Sequence, residues 1–285
     1  MIPPQSCMAL APPGCGKSTL AGSICDVVGA ENTLLLVAKP GEESSAEYLK
    51  HGLSERAELF FDRDWVPTLR RYDAGAYVAL LTRLDGLLDD EDFDAVIIDP
   101  GTDVIGLIEH HLLAPHNVGS VGDLGDGRSF YRQLADTAEE FVKSASILST
   151  MIAARPKWVI IPWHTQPVKE GELQSVGGGQ KQKERSADEK ARGVEYEGNV
   201  LPMIEGKYRR KIAGDMSMVL YCDIETSKDR RTKEERVEYV VQAYANADKH
   251  AKIRSAPALQ GWRGPNNFTA LIAAMEEAQS ADPSS

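Results

Sequence analysis

Short apolar runs alternate with longer amphipathic segments along the chain, which is the signature of βαβ units built around a mostly parallel sheet. The runs at residues 6–10, 33–37, 95–99, 158–162 and 216–222 predict strands. Between them, residues 17–28 read as a helix and residues 65–88 contain another. Residues 130–154 give the clearest helical period, with Leu134, Phe141, Ile147, Leu148 and Ile152 on or near one face. A later pair near residues 236–244 predicts an antiparallel hairpin added at one edge, and residues 268–278 a closing helix. The expected fold class is therefore α/β, a mostly parallel sheet with helices on both faces.

Two stretches lack the apolar content to pack. Residues 116–128 are rich in Gly and Asp, and residues 168–195 hold Gly177, Gly178 and Gly179 in a mixed-charge tract, so both predict mobile loops. The whole reads as one domain over residues 1–280 with a frayed tail at 281–285.

Composition narrows the classes. No apolar run approaches the roughly 20 residues of a membrane span, and the first residues lack a secretion-signal pattern, so the expected location is the cytoplasm. Cys7, Cys15, Cys25 and Cys222 show no metal-ligand spacing and read as small buried fillers, apart from Cys15 in a loop. The net charge of −11 confines any nucleic-acid contact to a local surface.

The chemistry concentrates near the N-terminus. Ala11-Pro12-Pro13-Gly14-Cys15-Gly16-Lys17-Ser18-Thr19 joins a predicted strand to a predicted helix, the context a phosphate-cradling loop requires. Pro13, Gly14, Cys15, Gly16, Lys17, Ser18 and Thr19 would surround the phosphates of ATP. Gly14 and Gly16 let backbone N–H groups turn inward, Lys17 reaches the β and γ phosphates, and the Ser18 hydroxyl can ligate Mg2+. Ala11 stands where the usual motif has glycine.

The strand at 95–99 delivers Asp99 to the carboxyl edge of the sheet, where it resembles a Walker B aspartate and would hold the magnesium with Ser18.

Further residues favour one branch of the P-loop proteins. Lys39-Pro40-Gly41-Glu42-Glu43-Ser44-Ser45 resembles the Gly-Glu-Glu-Ser stretch of RadA and KaiC, members of the RecA-like superfamily. In that family a glutamate here activates the attacking water, a role open to Glu42 or Glu43. His164, with Gln166 second, stands just past an apolar strand where RecA-like ATPases keep a γ-phosphate sensor. Lys252 and Arg254 resemble the Lys-x-Arg finger that reaches a neighbouring subunit's γ-phosphate.

The order of these features resembles compact RecA-like ATPases of bacteriophages, some of which assist single-strand annealing and recombination. The resemblance implies a Mg-dependent ATPase, single-stranded DNA and a single-strand-binding protein as partners, a homo-oligomeric ring or filament, and the host cytoplasm. Its DNA loop would correspond to the 168–195 tract with Lys169, Lys181, Lys183, Arg185, Lys190 and Arg192, whose charges are balanced by about as many acids. Lys207, Arg209, Arg210 and Lys211 form a compact basic cluster open to a phosphate-contact or a solvated reading. A nucleotide-gated regulatory ATPase and, less favoured, a small-molecule kinase are the competing classes.

Overall fold

The computed structural model describes residues 2–61, 75–116, 118, 120–167, 200–202, 215–228, 235–243, 252–254, 259 and 262–281. Its strands are β1 (Ser6–Ala11), β2 (Thr33–Val37), β3 (Glu58–Leu59), β4 (Ala95–Asp99), β5 (Trp158–Pro167), β6 (Val200–Pro202), β7 (Met218–Lys228), β8 (Glu235–Gln242), β9 (Lys252–Ile253) and β10 (Arg263–Pro265). The helices are α1 (Lys17–Gly22), α2 (Cys25–Val28), α3 (Ala46–Lys50), α4 (Ala76–Gly86), α5 (Gly101–Leu113), α6 (Gly127–Ile147) and α7 (Phe268–Ala281).

The sheet runs β3-β2-β4-β5-β1-β7-β8-β10. Strands β3 through β7 in that order are mutually parallel, and the β7–β8 hairpin is antiparallel. β5 lies between β1 and β4, so the phosphate-loop strand and the Asp99 strand are not neighbours.

The period-two alternation of β1 divides its side chains between two cores. Met8 and Leu10 join Val96, Ile98, Leu134 and Phe141 under α4, α5 and α6. Cys7, Ala9 and Ala11 join Leu20, Ile24, Tyr48, Phe268 and Met275 under α1, α2, α3 and α7. Burial on both faces explains why β2 and β4 are apolar runs without alternation. Each fully buried Leu, Ile or Phe contributes about 2 kcal/mol.

Several boundaries differ from the sequence expectation. The helix expected over 17–28 is two pieces, because Ser23 Oγ donates to Leu20 O at 2.6 Å and accepts from Phe268 N at 2.9 Å. Its hydroxyl thus serves the docking of α7. The 116–128 loop holds a 3-10 turn at Val121–Asp123, and α6 begins at Gly127, where Asp126 caps Arg128 N and Ser129 N.

At its other end α6 stops at Ile147 rather than running to 154, since the Ser149 and Thr150 hydroxyls bond back to Ser146 O and Ile147 O. Ile152, expected on the packed face, is consequently exposed. β5 extends five residues past the expected strand end, carrying His164 and Gln166 within it.

Helix α5 has no counterpart in the sequence reading. The tract 168–195, the basic cluster 207–211 and the tail beyond 281 lie outside the described residues. Cys7, Cys25 and Cys222 are buried as expected, and none of the four cysteines is in a disulfide.

Candidate functional site

β1 ends at Ala11, an extended residue paired with His164 of β5, so this position needs no glycine conformation and a methyl group fits. The loop that follows bends through Gly14 and Gly16, at φ 80° and 81°, values that favour glycine. Lys17 opens α1, and no side chain caps the helix's first N–H groups. Pro13, Gly14 and Thr19 are exposed along this loop and turn, whereas Cys15 is half-buried and leans toward Pro13 O.

The loop's rear wall comes from the far end of the chain. Asn266 Nδ2 donates to Gly16 O at 2.8 Å, and a Cβ on Gly16 would lie 2.5 Å from that nitrogen and 2.9 Å from the Tyr239 ring. Tyr239 sits on β8 opposite Ile224, three residues beyond the Tyr221–Leu10 pair, and therefore stands past the end of β1. Tyr239 also lines a groove of about 550 Å³ with Glu225, Glu238, Val240, Arg263, Gly264 and Pro265.

Lys17 is buried, and its Nζ donates to Ala11 O at 3.2 Å and Pro12 O at 2.8 Å. Burial lowers its pKa, against the pull of Cys222, Asp99, Cys15 and Glu42. The ammonium is thus held at the loop's rim by neutral carbonyls.

Asp99 is 1% exposed at the end of β4. Its Oδ2 accepts from Ser18 Oγ at 3.0 Å and from Tyr48 Oη at 2.6 Å. Burial pushes the carboxyl pKa up to about 6, Glu42 adds to the rise, and the hydrogen bonds from Tyr48 and Ser18 and the charge of Lys17 oppose it. A buried carboxylate beside a hydroxyl is a hard oxygen donor set, and it fits Mg2+.

Glu42 and Glu43 follow β2 in a 3-10 turn, Glu42–Ser44. Their side chains diverge. Glu43 Oε2 accepts from Gly41 N at 2.9 Å, while Glu42 pairs with Lys39 at 3.4 Å. Glu42 also contributes to the electrostatics of Lys17, Tyr48, Asp99, Asp103 and His164.

His164 is half-buried beside the loop. Its backbone N donates to Thr102 Oγ1 at 2.8 Å, and its Nδ1 has no hydrogen-bond partner among the described residues. Burial lowers its pKa, with Lys17 and Lys39 adding to the effect and Glu42 opposing it. The imidazole is therefore neutral at pH 7. The Gln166 side chain lies outside the described residues.

Lys252 and Arg254 do not join this group within one chain. β9 pairs with Met218 and Val219 at the start of β7, and Met218 is level with Cys7, the second residue of β1. Four residues separate Cys7 from Ala11, placing the segment about 13 Å away along the sheet, toward its opposite edge. The described residues hold one other group of possible metal ligands, Asp26, Glu47 and His51. There Lys50 and His51 both lean on Glu47, at 2.8 and 3.2 Å, which is an ion-pair arrangement on α3.

Tyr48, Thr102, Tyr239 and Asn266 were missed by sequence reasoning. Thr102 follows a strand-ending Asp-Pro-Gly, a signal for a helix start that could have found it. Tyr239 and Asn266 reach the loop only through the fold.

No family model matches the chain, and no curated protein matches it. Among solved structures, the crystal structure of the RadB recombinase aligns with 84% of this chain and 88% of its own, at 13% identity and a TM-score of 0.35.

Proposed function

We propose that the chain is a RecA-like ATPase that binds Mg-ATP at the β1–α1 loop and hydrolyses it. The observation that carries this reading is the meeting of Lys17, Ser18 and Asp99 at one sheet edge, with Glu42 and His164 in their electrostatic field. Ser18 and Asp99 would hold Mg2+, which supplies positive charge to the β and γ phosphate oxygens when bound. Lys17 leaves the carbonyls of Ala11 and Pro12 for those phosphates. Glu42 orients the attacking water, and the neutral His164 imidazole reports on the γ-phosphate.

Between the two glutamates, the divergence of side chains favours Glu42, since Glu43 is turned back onto Gly41 N.

The biological use we favour is recombination or annealing on single-stranded DNA, as a homo-oligomer alongside a single-strand-binding protein. Its support is the motif order, which resembles that of bacteriophage ATPases. Because β9 lies about 13 Å along the sheet from its own chain's loop, Lys252 and Arg254 would act on a neighbouring copy. No helix among the described residues is long and apolar enough to cross a membrane.

The test is steady-state Mg-ATP hydrolysis by the parent and by Lys17→Ala, with and without single-stranded DNA. Turnover that Lys17→Ala abolishes and DNA accelerates supports the whole reading. Turnover indifferent to DNA supports a regulatory ATPase instead, and equal turnover by both proteins refutes the site.

A further inference from the structure

Tyr48 brings a fully buried hydroxyl to Asp99 Oδ2 at 2.6 Å, closer than Ser18 at 3.0 Å. The backbone that carries it is well anchored: Ser45 caps α3 by accepting from Tyr48 N, and Leu53 N donates to Tyr48 O at 2.9 Å. The same short segment starts with the turn that bears Glu42. One short piece of chain therefore holds Glu42 at its start and grips Asp99 six residues later.

The two hydroxyls on Oδ2 have different obligations. Ser18 belongs to the phosphate loop, and binding a metal turns its oxygen lone pairs toward that ion. Tyr48 also lies within hydrogen-bonding reach of Ser18, but it serves neither phosphate nor metal. A charge-assisted hydrogen bond this short is among the stronger polar contacts a carboxylate makes.

We propose that Tyr48 is a positioning residue: it holds Asp99 Oδ2 while Ser18 exchanges the carboxylate for the metal, and so ties the Glu42 turn to the metal site. This inference rests on the Mg-ATP reading above. Tyr48 touches neither phosphate nor metal; it acts through Asp99.

Tyr48→Phe tests it, because phenylalanine fills the same space and lacks only the hydroxyl. Binding of a fluorescent ATP analogue is measured first without metal and then across a Mg2+ titration, with a urea melt to verify folding. Metal-free binding should stay within about twofold of the parent, while the Mg2+ half-saturation point rises about tenfold.

Ser45→Ala, which loosens α3 without touching the carboxylate, should move the same midpoint in the same direction by about threefold. It serves if Tyr48→Phe does not fold. An unchanged Mg2+ midpoint in both variants overturns the proposal while leaving the parent's Mg-ATP binding intact. Equal weakening with and without metal reduces Tyr48 to a support of the fold and also overturns it. A parent whose nucleotide binding ignores Mg2+ overturns the Mg-ATP reading itself.

Discussion

Asp99→Asn should make the protein without ligands more stable while removing its use of magnesium. The carboxyl is 1% exposed and titrates at about 6, against 3.8 for the same group in an unfolded chain. At neutral pH that difference of roughly two units corresponds to a destabilisation of about 3 kcal/mol from ionising a buried acid. Asparagine has the same shape, carries no charge, and keeps an oxygen to accept from Ser18 and Tyr48. The preference of those hydrogen bonds for the charged form is already contained in the pKa of about 6, so a net gain of about 3 kcal/mol is expected.

The pH dependence has a definite sign. The folded pKa lies above the unfolded one, so between about 4 and 6 the unfolded chain has released a proton that the folded chain still holds. Parent stability from this group falls as pH rises through that window and is level above it. The advantage of Asp99→Asn should be full at pH 7.5 and nearly gone at pH 4. Urea unfolding of both proteins at the two values, without nucleotide or metal, measures it. A variant less stable than the parent at pH 7.5, or a difference independent of pH, would refute the reasoning.

Two further substitutions probe the same site. Glu42→Gln should bind Mg-ATP with parental affinity and hydrolyse it at least tenfold more slowly, whereas Glu43→Gln should hydrolyse near the parental rate; single-turnover kinetics separates binding from chemistry. Gly16→Ala should lower stability by about 1–3 kcal/mol and impair nucleotide binding, because φ is 81° and the new methyl meets Asn266 and Tyr239; thermal unfolding and a binding titration check it.

The most legible parts of the fold were those whose physics is local. Strands β2 and β4 match the expected 33–37 and 95–99 because five-residue apolar runs bounded by polar residues are too short for a buried helix and pair as strands covered on both faces. The phosphate loop was legible because its glycines and lysine sit at fixed spacing. Helix α5 was hidden by Gly101 and Gly106, poor helix formers, although Val104, Leu107 and Ile108 keep the helical spacing. Gly101 is needed there because a Cβ would lie 2.3 Å from the Trp163 ring.

Tyr48 was invisible for a different reason. Its helix has five residues, too few to show a period, and its meaning comes from Asp99, 51 residues away. The break after Gly22 likewise depends on Phe268 N claiming the Ser23 hydroxyl. Side chains whose partners lie far along the chain leave no pattern to read.

The Asn266–Gly16 contact joins residues 250 positions apart. During synthesis the phosphate loop leaves the ribosome with β1, yet the amide that backs it, and the α7 residue that claims Ser23, follow only after nearly all the sheet has been made. A nascent chain therefore carries the complete loop sequence long before it owns a braced loop, and a ribosome-bound fragment ending before residue 239 would present the glycines without either Tyr239 or Asn266 behind them.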